Sequence, residues 1–359
     1  NDFLGHVAGY VHANFEFPPY VRFPCLPVSA GEKGLIFPLK GETYCTASEI
    51  LVAYNLGCKI EIIHGVIVPW AQTEHRVFED IITKVRLERN QAKSDGDKPK
   101  DEVWKNIALQ IYGKVSQAVS PVDKTAFDTR TNRSKSIGPS PISHEMMAAY
   151  TTGFIRGVMH ELLNQIPKEE LVVSVTTDGF LTTADIASFD FTTPLNARYQ
   201  ALCDRIDGEL MLEEKGRIKQ AIGMKTRGSL TAQIFAGKPP ILAKAGVKPV
   251  ISIEHDDTKE TIKDKQNEEM INLYLNRKFD AAPMELSSLI SLRDMWLTES
   301  DLVRKNIKRR LNLEYDFKRR PVNPKMVPVR DSEHLAFDSE PWETIEEFKR
   351  VRSIFDAFR

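Results

Sequence analysis

The sequence lacks the features that mark several common protein classes. Its four cysteines, Cys25, Cys45, Cys58 and Cys203, form neither a CxxC pair nor a regular spacing. We therefore expect no disulfide framework and no structural zinc site. No apolar run approaches the roughly 18–20 residues that span a bilayer, and no signal peptide opens the sequence. These absences predict a protein of a reducing compartment, the cytoplasm, with no membrane partner.

The charge balance excludes a globally basic nucleic-acid-binding protein. Lysine and arginine total 49 against 50 acids, which gives a net charge of -1, although local basic patches remain compatible with it. With 42% hydrophobic and 28% charged residues over 359 positions, the composition is that of a globular protein with core for two or three domains. The sequence opens on Asn1 rather than Met, in residues that resemble the entry to a strand, and we expect a fragment of a longer protein.

Hydrophobic periodicity predicts a chain of mixed α and β structure. Residues 5–70 predict the order β-β-α-β, in which the helix begins at a capping box formed by Thr46 and Glu49 and ends at Gly57. The later elements are predicted as a helical hairpin (74–92 and 101–118), a polar loop or small excursion (120–142), a long helix (143–165), another helix from 195, strands at 218–224, 229–235 and 248–253, and a charged, mostly helical end from 256.

A β-branched run at 171–177 ends in Asp178-Gly179 and resumes at Phe180, which predicts a β-hairpin with Asp-Gly as its tight turn. A carboxylate at the tip of a hairpin that is rooted in a buried strand is well placed to bind a catalytic metal ion. The alternative is an ordinary turn, because Asp-Gly is the usual chemistry of tight hairpins.

The second helix of the predicted hairpin carries Lys105, Leu109 and Tyr112 at i, i+4 and i+7, on one helix face. A cation and an aromatic ring about 10 Å apart along the axis suit a nucleotide, with the ammonium on phosphate and the ring against sugar and base. Gly113 would let a base approach closely. The alternative is an amphipathic helix with a surface lysine.

Basic and hydroxyl side chains recur further along the chain. Thr152 and Arg156 share one helix face beside two glycines, which suits a nucleic-acid backbone or, alternatively, close helix packing. Residues 215–227 are basic without an acid, and 304–320 hold eight Lys/Arg against two acids. Such clusters in a near-neutral protein indicate a track for phosphates, with a solvated helix face as the alternative.

The order of these motifs resembles that of family B DNA polymerases, in particular the branch of protein-primed replicases and their primer-independent relatives. The resemblance covers residues 5 to 325 and rests on Lys105-x6-Tyr112-Gly113, Thr152-x3-Arg156, the strand ending in TTDG, and Lys225-Thr226-Arg227. It implies an α+β right-hand polymerase fold, in which an antiparallel β palm carries helical fingers and a thumb.

The resemblance also implies roles for individual residues. Lys105 and Arg89 would bind the incoming triphosphate, and Tyr112 with Gly113 would shape the pocket for sugar and base. Asp178 would hold the catalytic metals, Mg²⁺ or Mn²⁺. The implied DNA contacts are Thr152, Arg156, Lys225, Arg227, Lys308 and Arg309. The implied regions are palm (1–73), fingers (74–119), an insertion-like polar region (120–147), palm with the hairpin (148–253), and thumb with the C-terminal tail (254–359).

The sequence departs from the family pattern at several positions. Leu109-Gln110 stand where Asn-Ser is usual, Thr176 replaces the first aspartate of motif C, Gly179 replaces a serine, and Arg227 replaces the tyrosine of Lys-x-Tyr. No motif A aspartate and no exonuclease region is recognisable. These departures fit a divergent primer-independent branch.

The function implied is template-directed DNA synthesis, in which dNTPs are added to a 3′-hydroxyl by two-metal phosphoryl transfer, with protein-primed or primer-independent initiation. The expected partners are DNA template and primer, dNTPs, and a priming protein or an N-terminal fragment that carries motif A and the exonuclease. Two alternatives remain: a catalytically incomplete DNA-binding or scaffold chain derived from a polymerase, and a generic α+β nucleotide-binding enzyme.

Overall fold

The computed structural model describes residues 8–68, 76–119, 124–206, 210–277, 283–310 and 313–357. Its helices are α1 (Ala47–Asn55), α2 (Glu79–Ser94), α3 (Lys98–Val115), α4 (Glu145–Leu163), α5 (Pro194–Ile206), α6 (Lys259–Leu275), α7 (Leu292–Thr298) and α8 (Ile345–Ala357). Within these residues, no helix has both the length and the apolar character needed to cross a bilayer.

The strands form seven small antiparallel sheets in the described part of the chain. They are β1 (Ala8–Glu16), β2 (Val28–Ser29), β3 (Leu35–Ile36), β4 (Lys40–Thr46), β5 (Lys59–Val68), β6 (Thr125–Asp128), β7 (Arg133–Ser136), β8 (Val172–Val175), β9 (Phe180–Thr182), β10 (Ile218–Lys225), β11 (Gly228–Ile234), β12 (Ala243–Lys244), β13 (Pro283–Leu289), β14 (Arg304–Arg310), β15 (Arg320–Val329) and β16 (Ser332–Glu340). The chain divides into two units: 1–27, 40–165 and 189–213 form the first, and 28–39, 166–188 and 214–359 form the second.

The first unit is built on the sheet β4-β1-β5, with helices α1 and α4 packed against it and against each other. Alternate residues of β1, among them Val11, Ala13 and Phe15, are buried, as the period of two in a half-covered strand requires. Strand β5 is different: nine of its ten residues are exposed, and β1 is its single neighbour among the described strands.

Two glutamates anchor helices in the first unit. The Glu49 carboxylate accepts the backbone N–H of Thr46, which confirms the predicted capping box of α1, and Gly57 ends that segment with a φ of +77°. Near the end of α4, the buried Glu161 accepts the backbone N–H groups of Leu195 and Asn196 and so caps α5. Carboxylates at helix N-termini satisfy N–H groups that the helix itself leaves without a partner.

The second unit has a hydrophobic core where the sheet β10-β11-β12 meets α6. Met270 and Ile271 of α6 are fully buried beside Leu230 of β11. The hairpins β8–β9, β13–β14 and β15–β16 belong to the same unit. Its C-terminal part packs Trp342 and Phe348 together, and the Trp342 indole N–H donates to the carbonyl of Phe317.

Most predicted elements are present with ends shifted by a few residues. The helical hairpin is α2 with α3, and the predicted residues 74 and 75 lie outside the described part. The polar stretch 120–142, predicted as a loop or small excursion, contains the short hairpin β6–β7, with residues 120–123 outside the described part. Two predictions were wrong: residues 248–253 form no strand of their own, and the end of the chain is not mostly helical, since β13 to β16 lie there. Its high charge hid the alternation of residues along those strands, whose pairing is set by tertiary contacts.

Three of the four cysteines are buried as free thiols. Burial raises the pKa of Cys25, Cys45 and Cys58, for Cys58 to about 12. Because the thiolate is the reactive form, these side chains are protonated and inert near neutral pH. They contribute to packing.

Candidate active site

Arg89 and Lys105, the two cations predicted to bind the triphosphate, lie on the antiparallel helices α2 and α3 of the first unit. The Arg89 Nε donates to the Asp101 carboxylate across the helix pair at 2.9 Å, and each of these side chains is about a quarter exposed. Asp101 and Lys105 are i, i+4 on α3, so Arg89 reaches α3 one turn from Lys105, on the same side of the helix. The structure therefore brings Arg89 close to the Lys105 face.

The face of α3 that carries Lys105 and Tyr112 is open. The Lys105 ammonium lies 3.3 Å from Glu102 in an exposed ion pair, which contributes at most about 1 kcal/mol and leaves the cation available to a stronger anion. Tyr112 is 40% exposed. A Cβ placed on Gly113 would meet nothing nearer than the Gln110 Oε1 at 3.9 Å, so packing does not require glycine there.

A shallow groove of about 500 Å³ lies on the opposite face of α3. Its lining is mainly apolar and includes Val103, Ile107, Ile111 and Ile142. On a helix, positions 103, 107 and 111 follow one another at i+4 and lie roughly opposite Lys105. The groove is therefore separate from the predicted nucleotide face.

Thr152 and Arg156 both lie on α4, and both make contacts within the first unit. The Thr152 hydroxyl donates to the carbonyls of Ala148 and Ala149 one turn back in its own helix. The Arg156 Nε donates to the fully buried Glu49 at 2.8 Å. Arg156 is thus held by an ion pair within the protein, while its side chain remains 26% exposed to solvent.

Asp178 lies at the exposed tip of the predicted hairpin in the second unit. The turn differs from the expected one: the Thr176 N–H and hydroxyl both donate to the Gly179 carbonyl, at 2.8 and 3.0 Å. Thr177 and Asp178 are therefore the central turn residues, and Gly179 closes the turn without a left-handed φ. The prediction of Asp-Gly as the turn centre was wrong, because the Thr176 hydroxyl supplies a second closing bond.

Glycine at position 223 lets this hairpin approach β10. A Cβ on Gly223 would lie 3.0 Å from the Val173 Cγ1 and 3.1 Å from the Val173 carbonyl oxygen, both on β8. The second of these is backbone and cannot rotate away. Gly223 therefore sets the distance between β10 and the strand that leads to Asp178.

We expect Gly223→Ala to destabilise the protein by about 1–3 kcal/mol through overpacking against β8. Urea denaturation measures this as a lower midpoint. Gly216→Ala is the matched control, because its Cβ would meet Ile241 only at ordinary contact distances of 3.7–3.8 Å. Equal midpoints for the two variants would contradict this role of Gly223.

Lys225 and Arg227 lie at the turn between β10 and β11. Arg227 adopts a left-handed φ of +57°, and its carbonyl accepts the N–H of Ala245. The Arg227 guanidinium donates to the Thr177 hydroxyl at 3.3 Å, so this cation reaches the residue next to Asp178. Asp316 fixes the same turn by accepting the N–H and hydroxyl of Thr226.

Lys308 and Arg309 belong to strand β14, where Glu285 and Met284 of β13 are their pairing partners. The alternative of a helix face was therefore wrong for this part of the basic segment. Positions along a strand alternate between its two faces, so a track on one face of β14 uses positions 304, 306 and 308. For Arg309 the structure describes the backbone pairing alone.

The described residues contain no group of three or more His, Cys, Asp or Glu side chains able to hold a metal ion. Asp178 is one exposed carboxylate. Mg²⁺ binds to one or two protein carboxylates together with substrate phosphates and water. Asp178 can therefore serve as one metal ligand, and the described residues do not provide the others of a complete protein site.

Some residues with notable contacts gave no functional signal in the sequence. Asp101 and Asp316 each pair with a predicted site element, and Glu49 was recognised only as a helix cap. Asp101 could have been found from its i, i+4 spacing to Lys105. Glu49 and Arg156 are 107 positions apart, and no local pattern links them.

Comparison with known proteins gave one strong relative. Over 100% of its length, the chain is 43% identical to "Primer-independent DNA polymerase PolB" of Escherichia coli. The chain is a relative of PolB. This confirms the predicted resemblance to the primer-independent branch of family B DNA polymerases. The chain spans 40% of the length of PolB.

Two further comparisons add little to the relationship with PolB. No family model matches the chain. The structure titled "Phi29 DNA Polymerase, orthorhombic crystal form" has a TM-score of 0.30 and 13% identity, covering 43% of this chain and 30% of that one.

Proposed function

We propose that this chain takes part in template-directed DNA synthesis, in which dNTPs are added to a 3′-hydroxyl. The observation that carries the proposal is the 43% identity to PolB along the entire chain. Initiation without a nucleic-acid primer is part of the proposal, and DNA and dNTPs are its substrates. We also propose the right-hand arrangement, with α2 and α3 as fingers and the β8–β9 hairpin in the palm.

In this proposal helices α2 and α3 bind the incoming nucleotide. Lys105 and Arg89 neutralise the triphosphate, and Tyr112 packs against the sugar and base. Support comes from the open face of α3 and from the meeting of Arg89 with α3 one turn from Lys105. The Asp101 carboxylate holds the Arg89 guanidinium across the helix pair, which reduces the entropy lost when a phosphate binds.

Asp178 is proposed to supply one ligand to the catalytic ions, Mg²⁺ or Mn²⁺. A further carboxylate is proposed to come from outside the described residues, from an N-terminal fragment that carries motif A, and a priming protein remains a proposed partner. When bound, the two ions activate the attacking oxygen and stabilise the leaving one. The Arg227 guanidinium beside Thr177 and the basic strand β14 are proposed to contact the DNA backbone, with Lys225 at the same turn as Arg227.

The direct test uses the natural full-length protein with a primed template, all four dNTPs and Mg²⁺. We expect template-dependent extension, and DNA affinity that falls steeply with salt because each phosphate contact releases a counterion. Salt-dependent binding without incorporation would favour the scaffold function. Binding that does not depend on salt would contradict DNA as the substrate and favour a generic nucleotide-binding enzyme.

A further inference from the structure

Arg156 is held by a carboxylate that solvent does not reach. Glu49 is fully buried, and its Oε1 accepts the Arg156 Nε at 2.8 Å. Its Oε2 accepts the N–H and the hydroxyl of Thr46, at 2.8 and 2.9 Å. Three donors and the positive end of α1 therefore stabilise this anion, and Arg156 is one contributor among them.

The backbone of α4 packs closely against that carboxylate and against Thr46. A Cβ on Gly153 would lie 2.4 Å from the Thr46 Oγ1 and 2.9 Å from the Glu49 Oε2. One turn on, a Cβ on Gly157 would lie 2.5 Å from the Leu195 Cδ1. The two glycines let the backbone of α4 approach α1 and Leu195 of α5 closely, and this close packing places the Arg156 side chain beside Glu49.

The ion pair uses only one edge of the guanidinium. Glu49 takes the Nε, and in the described part of the chain neither terminal nitrogen has a protein partner. Arginine carries its five N–H donors in a rigid planar fork, so fixing the Nε also fixes the direction of the terminal N–H groups. The carboxylate therefore sets where an exposed anion would be bound.

We propose that Glu49 is a positioning residue for DNA binding. It holds Arg156 so that the two terminal nitrogens meet the oxygens of a backbone phosphate. This inference rests on the proposed function, because it takes DNA as the ligand of Arg156. Glu49 itself does not touch DNA: it acts through the arginine, and its burial keeps it away from the phosphate.

The test compares Glu49→Gln with Arg156→Ala in the natural full-length protein, by DNA affinity over a range of salt concentrations. A charge-assisted contact is lost in Arg156→Ala, so we expect about tenfold weaker binding and a salt slope smaller by about 0.9, the value for one phosphate. Glutamine at position 49 presents an N–H₂ group or a neutral oxygen to the Arg156 Nε. We therefore expect Glu49→Gln to show most of the loss of DNA affinity and most of the decrease in salt slope. The double variant should bind DNA about as weakly as Arg156→Ala alone.

Glu161→Gln is the matched control for a purely structural role. Glu161 is also buried and also caps a helix of this unit, but its partners are Thr193, Leu195 and Asn196 rather than an arginine. We expect both glutamine variants to lower the melting temperature, and only Glu49→Gln to change the salt slope. A Glu49→Gln protein with the wild-type slope and affinity would overturn the inference.

The outcomes also separate this inference from the proposed function. If the wild-type protein extends DNA while Arg156→Ala binds DNA normally, the positioning role is wrong and the polymerase function stands. If the wild-type protein has no salt-dependent DNA affinity, the proposed function itself fails.

Discussion

Asp178→Asn in the natural full-length protein is expected to lower the rate of primer extension about 10³-fold or more, which corresponds to roughly 4 kcal/mol of transition-state stabilisation. The amide keeps the shape of the side chain but removes the negative charge that attracts a divalent cation. Asp178 is exposed at a hairpin tip, so the variant should fold normally. DNA affinity should change by no more than about twofold, since the carboxylate does not contact phosphate directly.

Asp185→Asn is the matched control for that substitution. Asp185 is another exposed aspartate of the second unit, and it caps a short turn and lies 3.7 Å from Arg217. Its loss should leave extension unchanged. Single-turnover extension with preformed protein–DNA complexes makes the comparison independent of binding. An Asp178→Asn protein that extends at the rate of the Asp185→Asn protein would exclude Asp178 as a metal ligand.

Lys105→Ala is expected to raise the KM for dNTP about 10- to 100-fold, the loss of one charge-assisted contact to the triphosphate. The maximal rate should fall far less, because the lysine binds a part of the nucleotide that is charged before and after reaction. Stability should hardly change, since the exposed pair with Glu102 contributes little. Steady-state kinetics with a single correct dNTP gives both constants.

Lys100→Ala offers the control on the same helix. Lys100 forms a 2.9 Å ion pair with Glu88 of α2 and lies near the start of α3, away from Tyr112. Its removal deletes a positive charge from the helix pair but none from the Lys105 face. An equal rise in KM for both variants would mean that the effect comes from the net charge of the helices and not from a contact made by Lys105.

Local signals predicted local structure well in this chain. The capping box at Thr46 and Glu49, the helix end at Gly57 and the hairpin that carries Asp178 all depend on residues a few positions apart, and all are present. The order of motifs was enough to identify the relationship to primer-independent polymerases. The roles of the individual site residues remain predictions.

Contacts between residues that are far apart in the sequence could not be predicted. The pairing of β13 with β14 and of β15 with β16 depends on partners that no charge pattern reveals, so a charged segment was wrongly predicted to be mostly helical. The same holds for Arg156. The sequence shows its position beside two glycines, but it does not identify Glu49 as its buried partner, because no local pattern links residues 107 positions apart. The prediction that Asp178-Gly179 forms the turn centre was wrong for a more local reason: the Thr176 hydroxyl donates a hydrogen bond to the Gly179 carbonyl, a contact that the Asp-Gly pattern does not reveal.

Strand β5 has a practical consequence for anyone who purifies this part of the protein. Among the strands that the structure describes, it pairs with β1 alone, so its other edge has no strand partner there, and it exposes Ile62, Ile63, Val66 and Ile67. Such an edge is a template onto which strands of other molecules can add. Loss of material on concentration or mild heating would then come from self-association of folded molecules, and light scattering recorded alongside each melting curve separates that process from unfolding.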